Sequence, residues 1–161
     1  MKAILLLLFS SFLISGCQSN LPQIKQITYE AGPCFGFCPI YKMTLLMDGS
    51  AVIEAERFTF TNPESNDWTD KEAEGTYRAT ISEASMKDIL EQINQLNLKE
   101  GKQKYGNRNI TDLPTAYLTI EYQNAASVQI EDYGKAGTPQ LKALYQTLEN
   151  LRQSETWQKM Q

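Results

Sequence analysis

Asp48-Gly49 constrains the fold of this chain more than any other short feature. It separates "YKMTLLM" (residues 41–47) from "AVIEAERFTF" (residues 51–60), two runs rich in β-branched, aromatic and other apolar residues. Glycine tolerates the positive φ that a tight hairpin needs, so this spacing predicts two antiparallel strands and, with them, a sheet. "IKQITYE" (residues 24–30) predicts a strand before the hairpin. "GTYRATI" (residues 75–81) predicts one after it, with Tyr77, Ala79 and Ile81 on one face by period-two alternation. The polar residues 61–73 between them hold a proline and no periodicity, which predicts a loop. Its Trp68 is either a lid on the core or an exposed docking residue.

Downstream the period changes. Ser82 can cap a helix reaching about Leu98, with Met86, Ile89, Leu90, Ile93 and Leu96 on one stripe. Residues 99–114 read as a basic, glycine-bearing loop. "TAYLTIEY" (residues 115–122) and "SVQIEDY" (residues 127–133) predict two more strands. Thr138 then caps a helix opened by Pro139, whose missing N–H costs nothing at that position; Leu141, Leu144, Tyr145, Leu148 and Leu151 form its stripe. The expected order is ββββαββα. Hairpin-linked strands and two one-sided helices imply an α+β two-layer sandwich, a mainly antiparallel sheet of about six strands with both helices on one face.

The N-terminal residues set an expected location. Lys2, then the apolar run "AILLLLFSSFL", then "ISGC" (residues 14–17) resemble a bacterial lipoprotein signal, in which Cys17 becomes the lipidated first residue. Residues 1–16 then read as a signal peptide, 17–23 as a lipidated tether and 24–161 as one α+β domain. More than one acyl chain on Cys17 suffices for stable membrane anchoring. Gln18, where an aspartate would act as a retention signal, implies the outer membrane facing the periplasm if the host is Gram-negative. The formal charge of −4, or −5 once Lys2 is lost with the leader, argues against general nucleic-acid binding.

The chain has three cysteines and no histidine. With Cys17 committed to lipid, Cys34 and Cys38 in "GPCFGFCPIY" (residues 32–41) are each other's only partners in an oxidising compartment. The run has four readings. A small disulfide staple fits the compartment and the flexible Gly36. A thiol-redox couple wants a nearby cation or helix N-terminus, and the spacing C-x3-C differs from C-x-x-C. A zinc clip lacks ligands, although two thiolates could hold a soft ion such as Cu(I). A contact surface is compatible with the staple: Phe35 and Phe37 either splay outward with Tyr41 as a docking tip, or fold back into the core. No catalytic residue, cofactor or metal site is expected, because the missing histidines exclude triads and zincin sites and no phosphate-binding glycine loop is present.

Two further clusters stand out. Lys102, Lys104 and Arg108 surround Tyr105, with Lys99 nearby, and could meet anionic lipid, cell-wall carboxylates or an acidic protein if they are more than a solvated loop. Asp112, Asp132 and Tyr133 could converge with Tyr105 as a polar cluster for acid–base work or a cation; the plainer reading is side-chain-to-backbone bonds in turns.

Pro33, Cys34, Gly36, Cys38, Pro39 and Tyr41 match the pattern Pro-Cys-x-Gly-x-Cys-Pro-x-Tyr. With "DGS", "TDLPT" (residues 111–115) and "EDYG" (residues 131–134) before a proline-started helix, the chain resembles the bacterial domain-of-unknown-function family numbered 6438 over nearly all of its mature length. The loop 61–73 is longer than that resemblance leads one to expect. The resemblance implies a secreted or lipid-anchored protein and supplies no activity. The expected function is therefore a membrane-anchored envelope lipoprotein acting as a non-enzymatic binding domain for an envelope protein or cell-wall partner. The alternatives are thiol-disulfide or soft-metal handling through Cys34 and Cys38, and an inhibitor or assembly factor docking through the Phe35/Phe37 tip.

Overall fold

In the computed structural model the described residues are 23–61, 73–96, 98 and 101–161. The expectations for the leader, Cys17, Trp68, Lys99 and the Lys102 side chain lie outside them. Strands β1 (Ile24–Ala31), β2 (Tyr41–Leu46), β3 (Ser50–Ala55) and β4 (Gly75–Thr80) precede helix α1 (Glu83–Gln95). Strands β5 (Gly101–Tyr105), β6 (Thr115–Tyr122) and β7 (Val128–Tyr133), helix α2 (Pro139–Ser154) and the short β8 (Gln158–Lys159) follow. The fold is α+β, with a mostly antiparallel sheet in the order β5-β7-β6-β1-β2-β3-β4-β8.

The sheet has eight strands rather than about six, and both additions are edge strands. β5 was expected to be loop because "GKQKY" carries no apolar alternation; it pairs in parallel with β7, from Gly101 opposite Val128 to Tyr105 opposite Asp132. Lysines on an edge strand discourage further pairing, which is why its sequence reads as solvated. β8 is two residues long and pairs only with Tyr77 and Arg78 of β4.

The predicted hairpin forms between β2 and β3, with Leu45 opposite Ala51. Gly49 adopts φ 84°, its N–H donates to the Leu46 carbonyl at 3.0 Å, and the Asp48 carboxylate accepts from the Ser50 N–H at 2.8 Å. β3 ends at Ala55, short of the expected Phe60. There the chain turns through Phe58 at φ 60°, and the Thr59 hydroxyl, fully buried, donates to the Ile40 carbonyl at 2.9 Å.

Both helices start where their caps predict: the Ser85 N–H donates to Ser82 Oγ at 3.1 Å and the Leu141 N–H to Thr138 Oγ1 at 3.2 Å. α1 stops at Gln95, a turn before the expected end. Their stripes, Met86, Ile89 and Ile93 on α1 and Leu141, Leu144, Tyr145, Leu148 and Leu151 on α2, are buried with Ile27, Met43, Ile53, Leu118, Ile120 and Ile130 from the strands. Burying each such aliphatic side chain contributes about 1.5–3 kcal/mol. The opposite sheet face carries the alternate, polar residues, among them Lys42 and Glu54, paired at 3.1 Å.

Candidate functional site

At the end of the sheet where β1 closes, the Gly32 N–H donates to the Thr115 carbonyl at 2.8 Å and the chain leaves as the loop "GPCFGFCP". Cys34 and Cys38 lie at disulfide distance, with Cα atoms 5.7 Å apart. Gly36 between them adopts φ 127°, a conformation L side chains rarely take, so the five-residue ring depends on glycine here. The Phe35 N–H donates to the Asp112 carbonyl at 3.2 Å, tying the ring to the loop after β5.

The two phenylalanines part. Phe35 is 86% exposed, and Ile110 (54%) and Leu113 (36%), flanking its hydrogen-bond partner Asp112, are exposed as well. Phe37 instead packs edge-on against Phe58, ring centroids 5.4 Å apart. Tyr41, expected beside them as contact surface, is only 2% exposed and belongs to the core. It follows the ring by three residues and falls on the inward register of β2.

Among the described residues the basic side chains of this cluster, Lys104 and Arg108, do not form a free cationic patch. Lys104 Nζ lies 2.9 Å from a Glu131 carboxylate oxygen, Arg108 pairs with the other oxygen, and the Arg108 guanidinium stacks 4.9 Å over the Tyr133 ring. Hydrogen bonds from Lys104 and Arg108 hold the Glu131 carboxyl below the usual carboxylate range. Tyr105 donates to Gln103 Oε1 at 3.1 Å.

The residues of the expected polar cluster meet only in part, with Asp132 opposite Tyr105 on the paired strands β7 and β5. Asp132 lies on the inward face of β7 with Val128 and Ile130, whereas Tyr133 faces the other side. The buried Asp132 carboxylate accepts from the Ala136 N–H at 2.8 Å and the Gly137 N–H at 3.1 Å, closing the turn into α2. The Tyr133 hydroxyl donates to the Ile110 carbonyl at 2.7 Å and accepts from the Leu113 N–H at 3.3 Å, pinning the exposed loop. Asp112 sits at φ 68° and its carboxylate accepts from the Thr111 hydroxyl. These are turn and loop fasteners. Among the described residues no group of three or more His, Cys, Asp or Glu side chains could hold a metal ion.

Beneath the ring lies a feature the sequence reading missed, a cavity of about 190 Å³ lined by Cys38, Tyr41, Pro114, Lys135, Glu149 and Arg152, among others. The Glu149 carboxylate accepts from the Tyr29 hydroxyl and pairs with Lys135. Tyr29 stands between Tyr41 and Tyr145, with centroids 6.0 Å and 5.6 Å away, so three buried phenols form a row between sheet and α2. Burial first, then the Glu149 charge, pushes the Tyr29 phenol far above its usual range; burial and Glu149 do the same to Tyr41, opposed by the adjacent Arg152; burial and Asp132 raise Tyr145. Arg152 Nη1 donates to the Thr59 carbonyl at 2.6 Å. Glu149 and Arg152 follow the buried Tyr145 and Leu148 by four residues, so helical spacing already placed both beside the stripe.

The fold and this corner define a small α+β domain marked by a cysteine-closed loop fastened to a second, exposed loop. The family described as a domain of unknown function (DUF6438) matches residues 25–152, and the chain belongs to it. A search of curated proteins finds no match.

Proposed function

We propose that this protein is a lipid-anchored envelope lipoprotein whose domain is a non-enzymatic docking module, with the ring tip as the surface that meets a protein partner. One observation carries the reading: Phe35 stands 86% exposed on a short ring whose ends are pinned by Cys34–Cys38 and by the bond to Asp112. A rigid aromatic loses little entropy on docking, and Ile110 and Leu113 extend the apolar contact. The geometry also suits an anchor at Cys17. The tether enters β1 at Ile24 and the tip leaves it after Ala31, about 23 Å away along an extended strand. In this reading the tip stands at the end of β1 opposite the tether, where other envelope components can reach it.

Replacing Phe35 with Ser is expected to change stability by less than about 0.5 kcal/mol, because the side chain is in water already. The same change at Phe37 removes the edge-on contact with Phe58 and is expected to cost about 1–2 kcal/mol. Chemical denaturation checks both. A large loss at Phe35, or none at Phe37, would reverse the assignment of outward and inward rings.

A second reading, thiol-disulfide exchange, is favoured by the cations Lys135 and Arg152, which share a cavity with Cys38 and would stabilise its thiolate. Intact mass of the exported protein separates the two. The docking reading expects acyl mass on Cys17 and a Cys34–Cys38 bond that survives a glutathione buffer set to the envelope's poise. Recovery of the pair largely reduced would favour exchange. Forced reduction is expected to cost about 2 kcal/mol, the chain-entropy value for so small a ring.

A further inference from the structure

The cavity beneath the ring holds unmet hydrogen-bonding capacity. Tyr41, only 2% exposed, lines it, and its hydroxyl closes no hydrogen bond; Arg152 Nε, also buried, closes none either. The guanidinium lies within reach of the phenol and interacts with it, but the hydroxyl and Nε fall short of closing a hydrogen bond with each other. Buried polar groups without partners are rare and costly in native structures, and two together at one cavity mark a place built for a third party. Of the neighbouring phenols, Tyr29 donates to Glu149, whereas the Tyr145 hydroxyl, beside Asp132, also closes no hydrogen bond but does not line this cavity.

The missing group can be described by its chemistry. Arg152 uses Nη1 on the Thr59 carbonyl, which leaves its Nε–Nη2 edge, the side-on fork that matches two oxygens of a planar carboxylate. Tyr41 supplies a neutral O–H donor next to that fork. Lys135 and Arg152 bring two positive charges to the cavity against the single negative charge of Glu149, and Lys135 already pairs with Glu149. Among the described residues Arg152 has no ion-pair partner. A monoanion restores neutrality, whereas a phosphate dianion would overshoot it. The volume of about 190 Å³ and the walls from Ala31, Pro39 and Pro114 suit a small organic acid rather than a large ligand. We infer that this cavity is a carboxylate-binding site in which the Arg152 Nε–Nη2 edge and the Tyr41 hydroxyl grip one carboxylate group, either of a small free acid or of a peptide chain end. The inference does not depend on the docking role of Phe35, which lies on the outside of the ring.

The test uses the full-length lipidated protein in detergent micelles, labelled with ¹⁵N, and follows the Arg152 Nε–H resonance at constant ionic strength. Titration with acetate is expected to move that resonance saturably, with half-saturation in the millimolar range, and acetamide is expected to leave it in place. Tyr41→Phe, which removes only the hydroxyl, is expected to weaken acetate at least about threefold. Arg152→Lys, read through the remaining cavity resonances, is expected to weaken it at least about tenfold, because an ammonium cannot form the fork. N-acetyl-alanyl-alanine distinguishes the sources. Binding at least about tenfold tighter than acetate assigns the site to a peptide end, and equal or weaker binding assigns it to a free acid. The inference fails if acetate leaves the resonance unmoved, if acetamide moves it equally, if inorganic phosphate binds more tightly than acetate, or if the Tyr41→Phe protein, folded by near-ultraviolet dichroism, binds acetate as well as the wild type.

Discussion

Raising the pH past 10 is expected to unfold this domain steeply. Tyr29, Tyr41 and Tyr145 are buried in one row, and burial, with Glu149 beside Tyr29 and Tyr41 and Asp132 beside Tyr145, pushes all three phenols far above their usual value. In the unfolded chain each ionises near pH 10. Below that pH both states hold the three protons and stability does not depend on them. Above it the unfolded chain releases protons that the native state retains, so stability falls as pH rises. Each phenol contributes a slope of about 1.4 kcal/mol per pH unit, so the three together give about 4 kcal/mol per unit. Between pH 10 and 11.5 the loss reaches about 5–6 kcal/mol, comparable with the whole stability of many domains. Urea midpoints from pH 8 to 11.5 should be flat to about 9.5 and then collapse. Tyr41→Phe removes a hydroxyl that closes no hydrogen bond, so it should cost little at pH 8 and flatten the alkaline slope by about one third. A slope of one proton or fewer, or no change in Tyr41→Phe, would contradict the buried row.

Asp132→Ala is expected to be the most damaging single substitution among the polar residues. The carboxylate is wholly buried and accepts from two backbone N–H groups, Ala136 and Gly137, in the turn that launches α2. Truncation takes the charged acceptor from both donors, in a turn only partly open to water, and opens a small void beneath Leu141, whose methyl group lies close to Gly137. The lost acceptor and lost packing together are expected to cost about 3–4 kcal/mol. For a chain of this size that is a fall in Tm of about 10–15 °C. Asp132→Asn keeps the shape and one acceptor, and is expected to cost about half as much. Thermal melts of the two variants decide the matter. If alanine were as mild as asparagine, the Asp132 carboxylate would not be what holds the turn.

Much of the fold was legible because it rests on local rules. Asp48-Gly49 marked the hairpin, Ser82 and Thr138 with Pro139 marked both helix starts, and the α2 stripe was read residue for residue. β5 was not legible, since a parallel edge strand is defined by its partner β7 and carries too little burial to show a period. The corner was half legible. Spacing and compartment favoured the Cys34–Cys38 staple, and the structure brings the pair to disulfide distance. The adjacent Phe35 and Phe37 could not be told apart, because the ring geometry alone sends one out and the other onto Phe58. Asp132 was picked out for chemistry, although period two along β7 already placed it inward beside Ile130. The cavity joins Cys38 and Tyr41 to Lys135, Glu149 and Arg152 across about a hundred residues, and no local rule reports such a meeting.

The proposed docking role of the tip is tested most directly by photocross-linking in the cells that make the protein. A photoreactive phenylalanine analogue is placed at position 35 of the full-length protein, and in a second protein at position 46, where Leu46 is 37% exposed at the opposite end of the sheet, beside the start of β1. The expected result is one discrete protein adduct from position 35, competed away by added unlabelled wild-type domain but not by the Phe35→Ser domain, and no such adduct from position 46. Equal adducts from both positions, adducts to lipid alone, or equal competition by Phe35→Ser would contradict it.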